Sequence, residues 1–282
     1  MKVLVTGATG FIGKHAISEL LKYDMKIIAT ARNIDKAKKN NWFDKVRFLE
    51  CDLNTKLDFF NYFEQPDAVI HLAWEELPNF NERFHIERNL PNNISFLSNL
   101  ITSGLKKITV IGTCLEYGLI SGCISEGIIT NPQTPYGIAK DTLRKYLESL
   151  ESDYNLDFKW VRLFYLHGNG QNENSILSQL AKAIANEEEV FNMSGGEQLR
   201  DYLPIEKAAE YLTKIFLQTK VTGTINCCSG KPISIRKLVE NYLKQNDAEI
   251  KLNLGALPYP DYEPMAFWGD NKKLNKILRE NL

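Results

Sequence analysis

The chain has 282 residues, with 34 Lys plus Arg against 35 Asp plus Glu and a formal charge of -1. That balance removes any whole-chain electrostatic reason to expect nucleic acid or an anionic membrane surface as a partner. The length allows a sizeable core in one large domain or two modest ones. The N-terminus runs directly into "MKVLVTG", and no apolar run has signal-peptide or membrane-spanning length, so a cytoplasmic protein is expected. The five cysteines, Cys51, Cys114, Cys123, Cys227 and Cys228, are odd in number and lack CxxC spacing, which disfavours a disulfide framework and a zinc site. No metal is expected.

In chain order, "KVLV" is a short β-branched run, followed by a segment of helical period with Ile12, Ala16, Ile17, Leu20 and Leu21 on one side, and then by "KIIATA". "VRFLE", "DAVIHLA", "KITVIG", "FKWVRLF" and "TGTINCC" repeat the apolar run. Strands apolar on consecutive positions and separated by helices predict a parallel sheet covered on both faces, the doubly wound α/β class. After about residue 166 the regularity loosens: "HGNGQNENS" and "NMSGGEQLRDYLP" read as loops around a helix at roughly 175–186. A helix near 234–244, the Pro- and Tyr-rich loop "GALPYPDYEPMAFWGD" and a short last helix follow, while "NEEEV" at 186–190 reads as a solvated loop. The expected organisation is a nucleotide-binding part over 1–165, rejoined by a late strand and helix from about 204–230. A smaller substrate-binding part is expected from 166–203 and 231–282.

"VLVTGATGFIGKH" places Gly7, Gly10 and Gly13 between the first strand and the first helix. Glycines there permit a tight turn, close approach of a diphosphate and close packing of helix on strand, and the helix N-terminus offers amides to phosphate. The context predicts dinucleotide binding. At the end of the second strand, "ATARNIDKAKK" presents Arg32 and Lys36 where an NAD-selective site has an acidic residue for the adenosine ribose. A carboxylate repels a 2′-phosphate and a guanidinium grips it, so NADP(H) is expected over NAD(H), which stays possible. The plain alternative is that both cations are merely solvated. Asp52, in "ECDL", is either an adenine contact or a cap.

"TPYGIAK" sets Tyr136 four residues before Lys140, on one face of a helix. Alone, the pair also fits an ordinary amphipathic surface. "TGATGFIG", "HLAW" at 71–74, "GTCLEYG" at 112–118, "PYGIAK" at 135–140, "RLFYLHGNGQ" at 162–171 and "GEQLRDYLPIE" at 196–206 follow one another over almost the whole chain. In that order they resemble the extended short-chain dehydrogenase/reductase superfamily, with its nucleotide-sugar epimerases, dehydratases and reductases.

The resemblance implies a Rossmann fold, Tyr136 as catalytic acid or base, Lys140 as its partner and ribose clamp, and Thr113 as the triad hydroxyl. It implies cofactor contacts from Gly7, Thr9, Gly10, Phe11, Ile12, Gly13, Arg32, Asp52, Leu53, Leu72, Ala73, Tyr136 and Lys140. Substrate contacts are implied for Trp74, Thr113, Tyr165 and Arg200, although Arg200 has the alternative of pairing with Asp201. A tyrosine of ordinary pKa about 10 is a poor base, and a neighbouring ammonium is expected to lower it. Related dehydratases carry Asp-Glu after the Ser/Thr, where this chain has Cys114 and Leu115, so 4,6-dehydration is not expected. Tyr165 stands where the family often has Asn, and Glu206 where Asp is common.

"HLAWEELPNF", "GTCLEYG", "PYGIAKDTLR" and "GALPYPDYEPMAFWGDNKKL" resemble bacterial 4-ketoreductases acting on dTDP-4-dehydro-6-deoxyglucose. That likeness implies NADPH-dependent reduction of the C4 ketone of a nucleotide-linked 4-keto-6-deoxyhexose, in deoxysugar biosynthesis for surface polysaccharide. An NAD-dependent nucleotide-sugar epimerase and a dinucleotide-binding regulatory or scaffold protein without turnover are the competing readings. His71 reads as structural, His167 and Phe80 as pocket or packing residues, and Cys227 and Cys228 as core thiols. Relatives pair two helices across a dimer, so segments near 86–103 and 136–152 lead to the expectation of a homodimer.

Overall fold

In the computed structural model, which describes residues 1–279, the apolar runs become one parallel sheet. The first half runs β1 (Lys2–Thr6), α1 (Phe11–Leu20), β2 (Lys26–Ala31), α2 (Ile34–Lys38), β3 (Arg47–Glu50), α3 (Phe59–Tyr62), β4 (Ala68–His71), α4 (Leu90–Thr102) and β5 (Lys107–Thr113). Next come β6 (Gly122–Ile124), α5 (Pro135–Tyr154), β7 (Asp157–Leu163), β8 (Tyr165–His167), α6 (Ile176–Ala185), β9 (Val190–Met193) and β10 (Leu199–Pro204). The rest is α7 (Ile205–Leu217), β11 (Gly223–Cys227), β12 (Pro232–Ser234), α8 (Ile235–Gln245), β13 (Lys251–Leu254), β14 (Phe267–Gly269) and α9 (Lys272–Arg279).

The seven-stranded sheet has the order β11-β7-β5-β4-β1-β2-β3, with every neighbouring pair parallel. Its strands read as unbroken apolar runs because successive side chains enter two different cores. Val3 and Val5 of β1 pack with Ala16, Ile17 and Leu20 of α1 and Leu212 and Ile215 of α7 on one face. Leu4 between them packs with Phe96, Leu97 and Leu100 of α4 and Leu143 and Leu147 of α5 on the other. The late strand β11 closes the edge beside β7, in register Ile225 with Val161.

The chain leaves β1 for β2 and β3 on one side, then crosses to β4 and β5 on the other. That reversal opens a crevice between β1 and β4 at the carboxyl ends of the strands, where open α/β sheets bind ligands. Beyond it, α6, α8 and β9 enclose a small core of Leu180, Phe191, Met193 and Val239. Among the described residues no helix is long and apolar enough to cross a membrane, and no cluster of metal-ligating side chains forms.

Candidate active site

Thr6, the last residue of β1, builds the crevice from inside the sheet. Its hydroxyl accepts from the amides of Leu72 at 3.1 Å and Ala73 at 3.2 Å and lies 2.9 Å from His71 Nδ1. Burial lowers the His71 pKa to about 3, so the ring is neutral. Its Nε2–H donates to Asn93 Oδ1 at 2.6 Å and Nδ1 accepts from Thr6. This is the structural histidine that its strand position suggests.

The turn after β4 then lies against the glycine turn. Gly7 has φ +65, and an added Cβ would stand 2.9 Å from the Ala73 nitrogen. At Gly13 a Cβ would meet the Gly7 carbonyl oxygen at 2.2 Å. Backbone therefore approaches backbone, leaving a cradle that side chains would fill. Gly10 caps α1 with no side-chain hydrogen bond, which leaves the first-turn amides for an anion.

A cleft of about 280 Å³ follows. Gly7, Thr9 and Gly10 form one wall, Leu72, Ala73 and Trp74 the other, and Arg32, Asp52 and Leu53 the far end. Phe11 and Ile12 sit in the first turn of α1, half-buried against the core. Asp52 lines the cleft and accepts from the Asn54 amide at 3.0 Å in a turn, while the helix that follows is capped by Asp58 instead. Arg32 reaches this end but is paired, its Nη1 2.6 Å from Glu75 Oε1. The donors and shape of the cleft fit an extended dinucleotide.

Thr113 ends β5, and Tyr136 and Lys140 come from the first turns of α5. Thr134 starts that helix by accepting from the Gly137 amide at 3.1 Å, with Pro135 at its first position. The Tyr136 amide donates to the Phe80 carbonyl at 3.1 Å, which fixes the entry of the helix. Thr113, Tyr136 and Lys140 are buried together, at 8, 6 and 2 % exposure. Lys140 Nζ donates to the Ile111 carbonyl at 2.8 Å and lies under the Trp74 ring.

Burial pushes the Tyr136 phenol well above its ordinary pKa, with the Glu116 and Cys114 side chains acting in the same direction and the Thr113 hydroxyl opposing. The lowering expected from Lys140 is therefore corrected: the ammonium is engaged by a β5 carbonyl and an indole face, and the phenol stays protonated. Burial brings Lys140 down to about 7, with Glu116 opposing. Cys114 is also raised by burial, and Leu115 has no proton to give. The arrangement thus sets a protonated phenol, Tyr136, beside the Thr113 hydroxyl and the Lys140 amine.

Glu116 is fully buried directly beneath this group. It accepts from the Thr113 amide at 2.8 Å, from Trp160 Nε1 at 2.9 Å and from Arg162 Nε at 2.6 Å. Thr113 and Glu116 form a capping box around the turn Cys114–Tyr117. The pattern Thr-x-x-Glu was there to be read as such a box, yet sequence reasoning passes over Glu116. It also explains Gly112, where a Cβ would meet Trp160 Nε1 at 2.1 Å and Glu116 Oε1 at 2.4 Å.

A second cavity, of about 510 Å³, is lined by Phe80, Tyr165, His167, Tyr202 and Tyr262, with Ser175 and Ile176 at the start of α6. Tyr165 donates to Glu263. Among the described residues lining this cavity none is Lys or Arg. Arg200 requires a correction on its alternative reading, the pair with Asp201. Its side chain is 2 % exposed and bound to Glu263 Oε2 at 2.9 Å and to the Leu199 carbonyl at 2.9 Å. Asp201 does not pair with it, because Ser229 and Gly230 donate to that carboxylate at 2.6–2.8 Å.

The sequence profile of the NAD dependent epimerase/dehydratase family matches residues 3–228. The chain is 31% identical over 275 residues to the dTDP-6-deoxy-L-talose 4-dehydrogenase (NAD(+)) of Aggregatibacter actinomycetemcomitans, covering 95% of this chain and 99% of that protein. It is 26% identical over 271 residues to the dTDP-4-dehydro-6-deoxyglucose reductase of Escherichia coli, covering 90% and 83%. The fold superimposes on UDP-N-acetylglucosamine 4-epimerase from Methanobrevibacter ruminantium with a TM-score of 0.87 at 23% identity, over 100% of this chain and 93% of that one. On the strength of the profile and of the relative that matches 95% of it, the chain belongs to the NAD dependent epimerase/dehydratase family, among the extended short-chain dehydrogenase/reductase enzymes.

Proposed function

We propose that this enzyme interconverts a C4 ketone and a C4 alcohol on a nucleotide-linked 6-deoxyhexose, working as a 4-ketoreductase of a 4-keto-6-deoxy sugar. The observation that carries the reading is the buried, protonated phenol of Tyr136 beside Thr113, with Cys114 and Leu115 at the neighbouring positions. One hydride and one proton convert a ketone to an alcohol. A second acid–base pair, which elimination of water requires, is not supplied at positions 114 and 115. The two relatives above, a 4-dehydrogenase and a 4-dehydro-sugar reductase by name, support the same chemistry in its two directions.

A bound nicotinamide cofactor supplies or accepts the hydride. In the reading proposed, the chain's own groups do the rest. The glycine turn and the N-terminus of α1 hold the diphosphate, and Lys140 and Tyr136 face the nicotinamide ribose. Thr113 orients the C4 oxygen and Tyr136 protonates it as the alkoxide develops. The aromatic cavity of Phe80, Tyr165, His167 and Tyr202 takes the nucleotide part of the substrate. For the cofactor, Arg32 and Lys36 support NADP(H), while Glu75 beside Arg32 leaves an acceptor for the ribose of NAD(H).

The test is to incubate the protein with NADH or NADPH and a panel of 4-keto-6-deoxy sugar nucleotides, following reduced-cofactor absorbance and identifying the product by NMR. Stoichiometric cofactor loss with a new C4 alcohol is expected. Isomer interconversion without net cofactor use would replace this reading with an epimerase.

A further inference from the structure

The far end of the cofactor cleft carries a charged network that the reaction proposed above does not use. Glu75 follows β4, and its Oε1 accepts from Arg32 Nη1 at 2.6 Å and from Asn54 Nδ2 at 2.9 Å. Its Oε2 lies 3.4 Å from Arg88 Nη2. Asn54 Oδ1 accepts from Asn92 Nδ2 at 2.7 Å, which fixes that amide with its NH₂ toward Glu75. Groups from the end of β2, the turn after β3 and the helical segment around α4 thus converge on one carboxylate at the cleft.

We propose that Glu75 is a specificity residue for the dinucleotide. From the opposite wall it takes the part that an acidic residue at the end of β2 plays in NAD sites, accepting from the adenosine ribose hydroxyls and opposing a 2′-phosphate. A carboxylate accepts readily from a diol. Toward a phosphate dianion it is repulsive, and it holds one of the Arg32 nitrogens, Nη1, that such a phosphate would otherwise take. The pair is exchangeable, because Arg32 is 59% exposed and solvent screens it. The wild-type chain accordingly takes both reduced cofactors, and neutralising Glu75 tips it toward NADPH. This rests on the dinucleotide reading of the cleft and is independent of the sugar substrate.

The experiment is direct titration of NADH and NADPH into sugar-free protein by calorimetry, for the wild type, Glu75→Gln, Glu75→Ser and Arg32→Gln, with thermal unfolding as the check on folding. Glu75→Gln is expected to lower the Kd ratio of NADPH to NADH by about fivefold or more, and Arg32→Gln to raise it. Glu75→Ser gives the same reading should the glutamine variant not fold. A ratio unchanged in both Glu75 variants overturns the proposal while leaving the dinucleotide site intact. Failure of the wild type to bind either cofactor overturns the proposal together with the reading beneath it.

Discussion

The Trp74 indole lies over the Lys140 ammonium, with Nζ 4.0 Å from the ring centroid. Behind it, Trp74 Nε1 donates to His85 Nδ1 at 3.0 Å, and His85 Nε2 donates in turn to the Asn79 carbonyl at 3.0 Å. The indole is therefore held in place by a neutral histidine, and its face favours the charged form of a lysine that burial would otherwise neutralise. Trp74→Leu removes the face while keeping the site apolar. The Lys140 pKa, already about 7, should fall further, and the alkaline limb of kcat/KM should move to lower pH by roughly half a unit. A limb that moves to higher pH would show that Trp74 acts on Lys140 by excluding water.

Lys140 makes the site costly for the fold. The unfolded chain keeps this proton up to the ordinary lysine value of 10.5, whereas the folded chain gives it up from about 7. Between those values the unfolded state binds more protons, so this group makes stability rise with pH across that window. Lys140→Met should therefore raise Tm at pH 7, by about 2–4 °C for each kcal/mol recovered, and abolish turnover. The gain should shrink toward pH 10, as the lysine of the unfolded chain also approaches neutrality. A gain of constant size from pH 6 to 10 would mean that Lys140 titrates near its ordinary value.

Tyr136→Phe removes a proton and little volume. In the role proposed for this phenol, cofactor Kd should stay within a few-fold and turnover should fall by about 10²–10⁴. Thr113→Ser should retain most activity and Thr113→Val should not, because only a hydroxyl can orient the C4 oxygen and meet the Leu115 amide, 3.3 Å away. Steady-state kinetics beside cofactor titration distinguish these outcomes. Turnover left intact by Tyr136→Phe would remove the assigned proton donor.

Glu116 and Arg162 form a buried ion pair, 2.6 Å apart, with both side chains at most 2% exposed. Breaking one partner of such a pair leaves an uncompensated charge in the core. Glu116→Gln should destabilise the protein by about 3–5 kcal/mol in urea unfolding. The double variant Glu116→Gln with Arg162→Met should be less damaged than the sum of its single changes. Strict additivity would show that the two groups act independently.

The parallel sheet, the glycine turn and the Tyr136–Lys140 helix were legible in the sequence, because they depend on local rules. Strands buried on both faces must be apolar at consecutive positions. A backbone approach as close as that of Gly7 to Ala73 excludes a Cβ. A separation of four residues places two side chains on one helical face. Three outcomes depended on partners far away in the chain. Arg200 is claimed by Glu263, 63 residues on; Arg32 is claimed by Glu75, 43 residues on; and the Lys140 ammonium is taken by the Ile111 carbonyl and the Trp74 face. A charged side chain meets a ligand on terms set by the counter-charge that the fold brings to it. That follows from distances in the folded chain, which neither composition nor spacing records.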